Sequence, residues 1–144
     1  MAENDELDSI AAQLQMQQAK GDSIRTQMQQ MQSNIIEIGG AMEAIKNVKK
    51  ASKDVLVPIG AGAYLSCPKP DSEKVIINIG ANVMLSKKPE EAVKLLEERQ
   101  KVVSDAVGVA QQDLEQVIRE MDELSHRANL LASGANRNVR ASQE

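Results

Sequence analysis

The sequence predicts an α+β protein, in which a long antiparallel coiled coil formed by two helices of one chain flanks two central β-hairpins. Near both ends of the chain, apolar residues recur with alternating spacings of three and four, which is the signature of a coiled-coil seam. The centre has β-type patterning interrupted by turn residues. Because two seams of equal length lie on either side of a short centre, we expect the chain to fold back on itself.

The first helix is predicted over residues 5–50. Its seam consists of Leu7, Ile10, Leu14, Gln17, Gly21, Ile24, Met28, Met31, Ile35, Ile38, Met42 and Ile45. Asn4 or Asp5 is suited to cap its start, and lysines near residue 50 suit the negative end of the helix dipole. Gly21 leaves a hole in this seam. The Gly39-Gly40 pair weakens the helix by about 1 kcal/mol per glycine relative to alanine.

The returning helix is predicted over residues 89–132. Pro89 fits the first helical position and is followed by acidic residues. The seam consists of Val93, Leu96, Gln100, Val103, Val107, Ala110, Leu114, Val117, Met121, Leu124, Ala128 and Leu131. Gly134 is expected to end the helix as its C-cap, and residues 133–144 are expected to form a flexible tail.

Residues 55–87 contain an internal repeat at an offset of twenty, in which the segment 57–66 aligns with 77–86. Each copy has a β-branched run, a turn with glycine and a second apolar run, which predicts a β-hairpin. Pro58 cannot donate a ladder hydrogen bond, so its strand is expected at an edge or at a bulge. Since a two-stranded hairpin is only marginally stable alone, the two hairpins are expected to need each other or other subunits.

Composition excludes several classes of protein. The chain has no Trp, no Phe and one Tyr, which suits a thin helical seam better than an ordinary globular core. A net charge of −4 argues against a nucleic-acid-binding protein. The polar, acidic start and the lack of a long apolar run argue against a secretory signal and a membrane protein. Cys67 is the only cysteine, which favours a reducing, cytoplasmic location.

No group of residues predicts an enzyme, a cofactor site or a metal site. His126 is the only histidine and is expected on the surface. The segment Gly60-Ala61-Gly62 superficially suggests a phosphate-binding loop, but no helix follows it, so it is predicted to be a turn.

The start of the first helix and the end of the second are candidate sites for binding other apolar chains. An antiparallel helix pair brings together the seam residues Leu7, Ile10, Leu14, Leu124 and Leu131, with Met16 and Leu130 beside the seam. Two readings remain open, and both can hold. These side chains close the seam, or they are partly exposed and bind other chains, with methionine adding adaptability.

Leu95, Val102 and Val109 form a further apolar stripe with seven-residue spacing beside the seam of the second helix. We expect this stripe to pack on the strands or on a neighbouring subunit.

The central motifs are Val55-Leu-Val-Pro-Ile-Gly-Ala-Gly-Ala-Tyr-Leu65, Val75-Ile-Ile-Asn-Ile-Gly-Ala-Asn-Val-Met-Leu-Ser86 and Lys88-Pro-Glu-Glu-Ala92. With the helices on either side, they resemble the prefoldin family of the archaeal type. The doubled hairpin resembles its alpha subunits, because beta subunits have one hairpin.

This resemblance implies a hetero-hexamer of two alpha and four beta subunits, whose hairpins form a β-barrel body. It implies a chaperone that captures non-native polypeptides at the coiled-coil tips without ATP and passes them to a group II chaperonin. The tip residues named above would contact the polypeptide. The body would be held together by Val55, Val57, Ile59, Tyr64, Leu65, Val75, Ile77, Ile79, Val83 and Leu85. The alternative function is a structural coiled-coil scaffold or tether that binds one folded partner.

Overall fold

The computed structural model describes residues 2–141 and confirms the predicted α+β architecture of two long helices and two small hairpins. The elements in chain order are α1 (Ala2–Lys50), β1 (Val55–Gly60), β2 (Ala63–Cys67), β3 (Val75–Gly80), β4 (Val83–Lys87) and α2 (Pro89–Ala141). We call the β1–β2 pair hairpin 1 and the β3–β4 pair hairpin 2.

The helix limits differ from the prediction at two ends. α1 already begins at Ala2, so Asn4 and Asp5 lie inside its first turns. α2 begins at Pro89 as predicted, but it continues through Gly134 to Ala141, so the predicted end at residue 132 and the glycine cap are wrong. One glycine inside a helix costs only about 1 kcal/mol relative to alanine, which does not terminate an otherwise favourable helix. The rest of the predicted flexible tail, residues 142–144, lies outside the described residues.

Contacts within the chain define two compact units. The described parts of Met1–Met31 and Ala106–Glu144 form the terminal unit, and Gln32–Asp105 form the hairpin unit. Each unit contains a stretch of α1 and a stretch of α2, and the hairpin unit also contains all four strands.

The predicted seam is the buried surface of the helices in both units. Every seam position named above is buried or half-buried. Ile10 and Val117 are among the most buried side chains of the terminal unit, while Ile38 and Leu96 are buried in the hairpin unit. This pattern confirms the coiled-coil interpretation of the three-four spacing.

Two glutamines in the seam make hydrogen bonds across the helix pair. In the terminal unit Gln17 Nε2 donates to Glu120 Oε2 at 2.7 Å, and in the hairpin unit Gln100 Nε2 donates to the Ile35 carbonyl at 3.2 Å. Both bonds join residues that an antiparallel pairing brings together. Polar seam residues of this kind specify the register of a coiled coil at some cost in stability. That cost is visible at Gln17, because its buried Oε1 has no hydrogen-bond partner.

Gly21 leaves room for a side chain in the terminal unit. An added Cβ would lie 3.5 Å from Val117 Cγ1 and 3.8 Å from Leu114 Cδ1, which is ordinary van der Waals contact. We therefore expect Gly21→Ala to raise the free energy of unfolding by about 1 kcal/mol through helix propensity, with a further gain from burial of the methyl group. Urea unfolding followed by circular dichroism measures this change.

Gly40→Ala is the matched control, because Gly40 also lies in α1 but an added Cβ would have no atom within 4 Å. Gly40→Ala should raise the free energy of unfolding through helix propensity alone. If Gly21→Ala were less stable than Gly40→Ala, the conclusion that the seam has room for a methyl group at Gly21 would be wrong.

The two hairpins have the same construction at the predicted offset of twenty. Val57 pairs with Leu65 in hairpin 1, and Ile77 pairs with Leu85 in hairpin 2. The pairing of each hairpin shifts before its turn, between Pro58 and Gly60 and between Asn78 and Gly80. Pro58 therefore lies in an edge strand and next to a bulge, which are the two alternatives predicted for it.

The turns need backbone conformations that favour glycine. Gly60 and Gly80 have φ of 111° and 118°, and the two residues that follow each of them also have positive φ. Two successive residues with positive φ define a type I′ turn, which matches the twist of paired strands. Ala61 and Ala81 occupy the first turn position with φ near 50° in both copies, where alanine is strained by about 1–2 kcal/mol.

Only hairpin 2 packs firmly on the helices. Ile77 is 7% exposed and lies in a buried cluster with Ile38 and Leu96, and Arg99 Nη2 donates a hydrogen bond to the Asn78 carbonyl. At the equivalent position of hairpin 1, Val57 is 41% exposed, and no residue of β1 or β2 is buried. The two copies of the repeat therefore have different roles within the chain.

Candidate interaction surfaces

The hairpins carry the largest group of exposed apolar side chains among the described residues. Of the residues predicted to hold an assembly together, Ile77 is buried against the helices, and Val55 and Val75 are half-buried. The other predicted residues are exposed, namely Val57, Ile59, Tyr64, Leu65, Ile79, Val83 and Leu85. These side chains are available for contacts outside the chain.

Three further apolar residues of the strands, which were not predicted as contact residues, are exposed, namely Leu56, Ile76 and Met84. They lie on the opposite face of each hairpin from Val57 and Ile77, because successive side chains of a strand point to opposite faces. Leu56 is paired with Ser66, and Ile76 with Ser86. Their signal in the sequence is that apolar residues at adjacent positions of a strand must lie on opposite faces of the hairpin. Each hairpin is thus apolar on both faces.

The backbone of the hairpins is also unpaired at its edges. Each sheet has only two strands, so the outer edge of every strand is not paired with another strand among the described residues. Together with the apolar faces, these edges form a surface suited to pair with strands of other chains.

The terminal unit separates the predicted binding residues into two groups. Met16 is 73% exposed and Leu130 is 61% exposed. The seam residues Leu7, Leu14, Leu124 and Leu131 are half-buried, and Ile10 is buried. Ile10 therefore closes the seam, while Met16 and Leu130 offer accessible apolar surface. Val139, near the end of α2, is a further exposed apolar residue, which was not among the predicted binding residues.

Met16 and Leu130 lie on the same side of the helix pair in the terminal unit. Each follows a seam residue, Leu14 or Ala128, by two positions, and these equivalent heptad positions share one face of an antiparallel pair. The bond from Gln17 to Glu120 sets the register, so the two side chains are separated by roughly 15 Å along the helices. About five residues of an extended polypeptide span this distance.

A polar groove of about 260 Å³ lies in the terminal unit and is lined by Gln13, Gln17, Glu120, Glu123, Leu124 and Arg127. Arg127 makes an ion pair with Glu6 at this groove. Glu3, Asp5 and Asp8 are exposed on the first turns of α1. The terminal unit therefore carries polar and acidic side chains as well as the accessible apolar residues.

In the hairpin unit, Lys49 and Glu90 form an ion pair between the end of α1 and the start of α2. The hydrogen bond from Lys49 lowers the pKa of Glu90, and the same bond raises the pKa of Lys49. Both side chains are exposed, so this pair contributes little to stability.

The apolar stripe of α2 is only partly covered. Leu95 packs against the cluster of Ile38, Ile77 and Leu96. Val102 and Val109 are exposed. The expected packing on the strands thus holds for Leu95 within this chain.

The described residues include no group of three or more His, Cys, Asp or Glu side chains placed to hold a metal ion. His126 is exposed, and Gly60-Ala61-Gly62 forms the end of β1 and its turn, as predicted. Among the helices described, neither has a stretch apolar enough to cross a membrane.

Comparisons with known proteins agree with this architecture. Residues 17–132 match the family model described as Prefoldin subunit. The prefoldin subunit alpha of Thermofilum pendens is 30% identical over 105 residues, covering 72% of this chain and 81% of that protein. The prefoldin subunit alpha of Methanosarcina mazei is 26% identical over 140 residues, covering 93% of this chain and 99% of that protein.

Among solved structures, the chain is similar to a subunit of filamentous PFD from Methanocaldococcus jannaschii. The TM-score is 0.68 at 21% sequence identity, with 78% of this chain and 95% of that chain covered. This similarity supports the fold. With the family match over most of the chain and the relatives of the alpha class, the chain belongs to the prefoldin family, as a chaperone-type subunit of its alpha class.

Proposed function

We propose that this chain is a subunit of an ATP-independent holding chaperone that binds non-native polypeptides at the terminal unit. The observation that carries this proposal is the exposure of Met16 and Leu130 on one side of the helix pair. Non-native chains expose apolar side chains in extended segments, and two apolar contacts roughly 15 Å apart suit such a segment. The flexible methionine side chain allows different sequences to be accommodated.

The proposed assembly is a hetero-hexamer of two alpha and four beta subunits in the cytoplasm, with the hairpins in a β-barrel body. The exposed hairpin faces and free strand edges support it, because isolated two-stranded hairpins with apolar faces are marginal in water. Assembly would remove these edges. Transfer of the bound polypeptide to a group II chaperonin completes the proposed activity.

Multivalency explains how such small contacts hold a polypeptide without ATP. A single terminal unit offers a limited apolar surface, which predicts weak binding. Several terminal units on one body would raise the effective concentration for the second and third contacts, so that the overall affinity exceeds that of each contact. Weak individual contacts also allow stepwise release.

The proposal predicts that Met16→Glu combined with Leu130→Glu weakens holding of non-native polypeptides. Loss of two apolar contacts should lower the affinity by about tenfold or more. The measurement is suppression of aggregation of several unrelated unfolded proteins by the assembled complex, with the hexamer confirmed by native mass spectrometry. Both side chains are solvent-exposed, so the fold should persist.

Ile36→Glu is the matched control, because Ile36 is as exposed as Met16 on the same helix but belongs to the hairpin unit. It should leave holding unchanged. Equal loss in the control, or undiminished holding in the double variant, would contradict the proposed site. If the complex bound one folded partner and ignored diverse unfolded proteins, the scaffold alternative would replace the chaperone proposal.

A further inference from the structure

An open groove lies in the hairpin unit beside the place where hairpin 2 packs. Its volume is about 520 Å³, and its apolar lining includes Ile38, Leu95, Leu96, Val102 and Val103. Ile38 and Leu96 also form the buried cluster with Ile77. The groove therefore continues the helix surface that already holds one hairpin.

Hairpin 1 has a face that matches this surface, and that face is exposed in its own chain. Its Val57 and Leu65 are cross-strand partners, and they match the pair Ile77 and Leu85 of hairpin 2. Ile77 is 7% exposed and Val57 is 41% exposed. The apolar face is thus packed on the helices in hairpin 2, whereas the matching face of hairpin 1 is exposed.

We propose that the groove beside Val102 binds the Val57–Leu65 face of hairpin 1 from a second copy of this chain. Hairpin 2 supports this choice of occupant, because it demonstrates that a hairpin of this repeat packs on these helices through the matching residue.

This proposal rests on the hairpin-mediated assembly proposed above. It adds a groove on the helices as the binding site for hairpin 1 of a second chain. It does not involve Met16 or Leu130. Its tests measure self-association of the chain alone, so their failure would leave the holding of non-native polypeptides untouched.

Cysteine cross-linking tests the contact directly. We would mix two single-cysteine chains, Val57→Cys and Val102→Cys, each also carrying Cys67→Ser, and oxidise them under mild conditions. The expected result is a disulfide-linked dimer containing one chain of each kind. The control mixture replaces Val102→Cys with Val109→Cys, which lies seven residues further along α2 and does not line the groove.

The proposal would be overturned by equal cross-linking in the control mixture, by cross-linking of Val57→Cys only with itself, or by a chain that stays monomeric at all concentrations. A chain carrying both cysteines that forms only an internal disulfide would show that the groove is filled by its own hairpin 1, which also overturns it.

A charge substitution provides the second test. Val102→Glu should weaken self-association of the chain by about tenfold or more, because a carboxylate would have to be buried under hairpin 1. Val109→Glu, at a valine exposed to a similar extent, should leave self-association unchanged. Analytical ultracentrifugation measures both, and circular dichroism confirms that the helices are retained. Equal effects of the two substitutions would contradict the groove as the binding site.

Discussion

Val117→Asp is expected to disrupt the helix pair of the terminal unit. Val117 is 1% exposed and lies against the position of Gly21, so the new carboxylate would be buried without a partner. An uncompensated buried charge costs about 3–5 kcal/mol, which is a large fraction of the stability of a small protein. The measurement is the free energy of urea unfolding by circular dichroism, at a fixed protein concentration because assembly shifts apparent stability.

The neighbouring residue gives a matched control. Ile118 is 42% exposed, so Ile118→Asp places the same charge on the solvent side of the same helical turn. We expect it to lower the free energy of unfolding by less than about 1 kcal/mol. Similar effects at the two positions would show that the terminal unit does not depend on the Val117 seam contact.

Ile77→Ala is expected to loosen hairpin 2 from the helices. The substitution removes most of a side chain buried against Ile38 and Leu96, and such truncations cost about 2–5 kcal/mol. Because the hairpin is otherwise marginal, the loss should appear as faster hydrogen exchange of the backbone amides of β3 and β4.

Ile76→Ala removes the same atoms from the preceding residue of the strand, which is exposed on the opposite face. In the chain alone, this substitution should lower the opening free energy of the β3 and β4 amides, as measured by hydrogen exchange, by less than about 1 kcal/mol. If Ile76→Ala and Ile77→Ala accelerated exchange equally, the packing of hairpin 2 on the helices would not be its source of stability.

Much of the fold was predictable because its signals are local in the sequence. The three-four spacing determines which side of each helix is apolar, and the seam positions are all at least half-buried in the structure. The repeat at an offset of twenty gave the strands, and its glycines marked the turns. The end of α2 was not predictable from Gly134. The free-energy cost of one glycine in a helix is small, and the helix propensity of the surrounding residues outweighs it.

The interaction surfaces were predictable only in part, because exposure depends on which other element covers a residue. Leu95 and Val102 have the same heptad position, yet only Leu95 packs against the cluster that holds Ile77. In the terminal unit, the sequence grouped Ile10 with Met16. The seam buries the first and leaves the second accessible. The difference between Leu95 and Val102 arises from the packing of hairpin 2, a distant segment that no local pattern reports. The difference between Ile10 and Met16 follows from their heptad positions, in the seam and beside it.

The antiparallel pairing has a consequence for the order in which the chain folds. Lys49 and Glu90 are 41 residues apart in the sequence, whereas Glu6 and Arg127 are 121 apart. Closing the longer loop from an unpaired chain costs about 1 kcal/mol more in entropy, while each strand pair closes only a short turn. We therefore expect the hairpins to form first and helix pairing to proceed from Lys49 and Glu90 towards the chain termini. The turns that carry Met16 and Leu130 would then pair last on folding and separate first on unfolding.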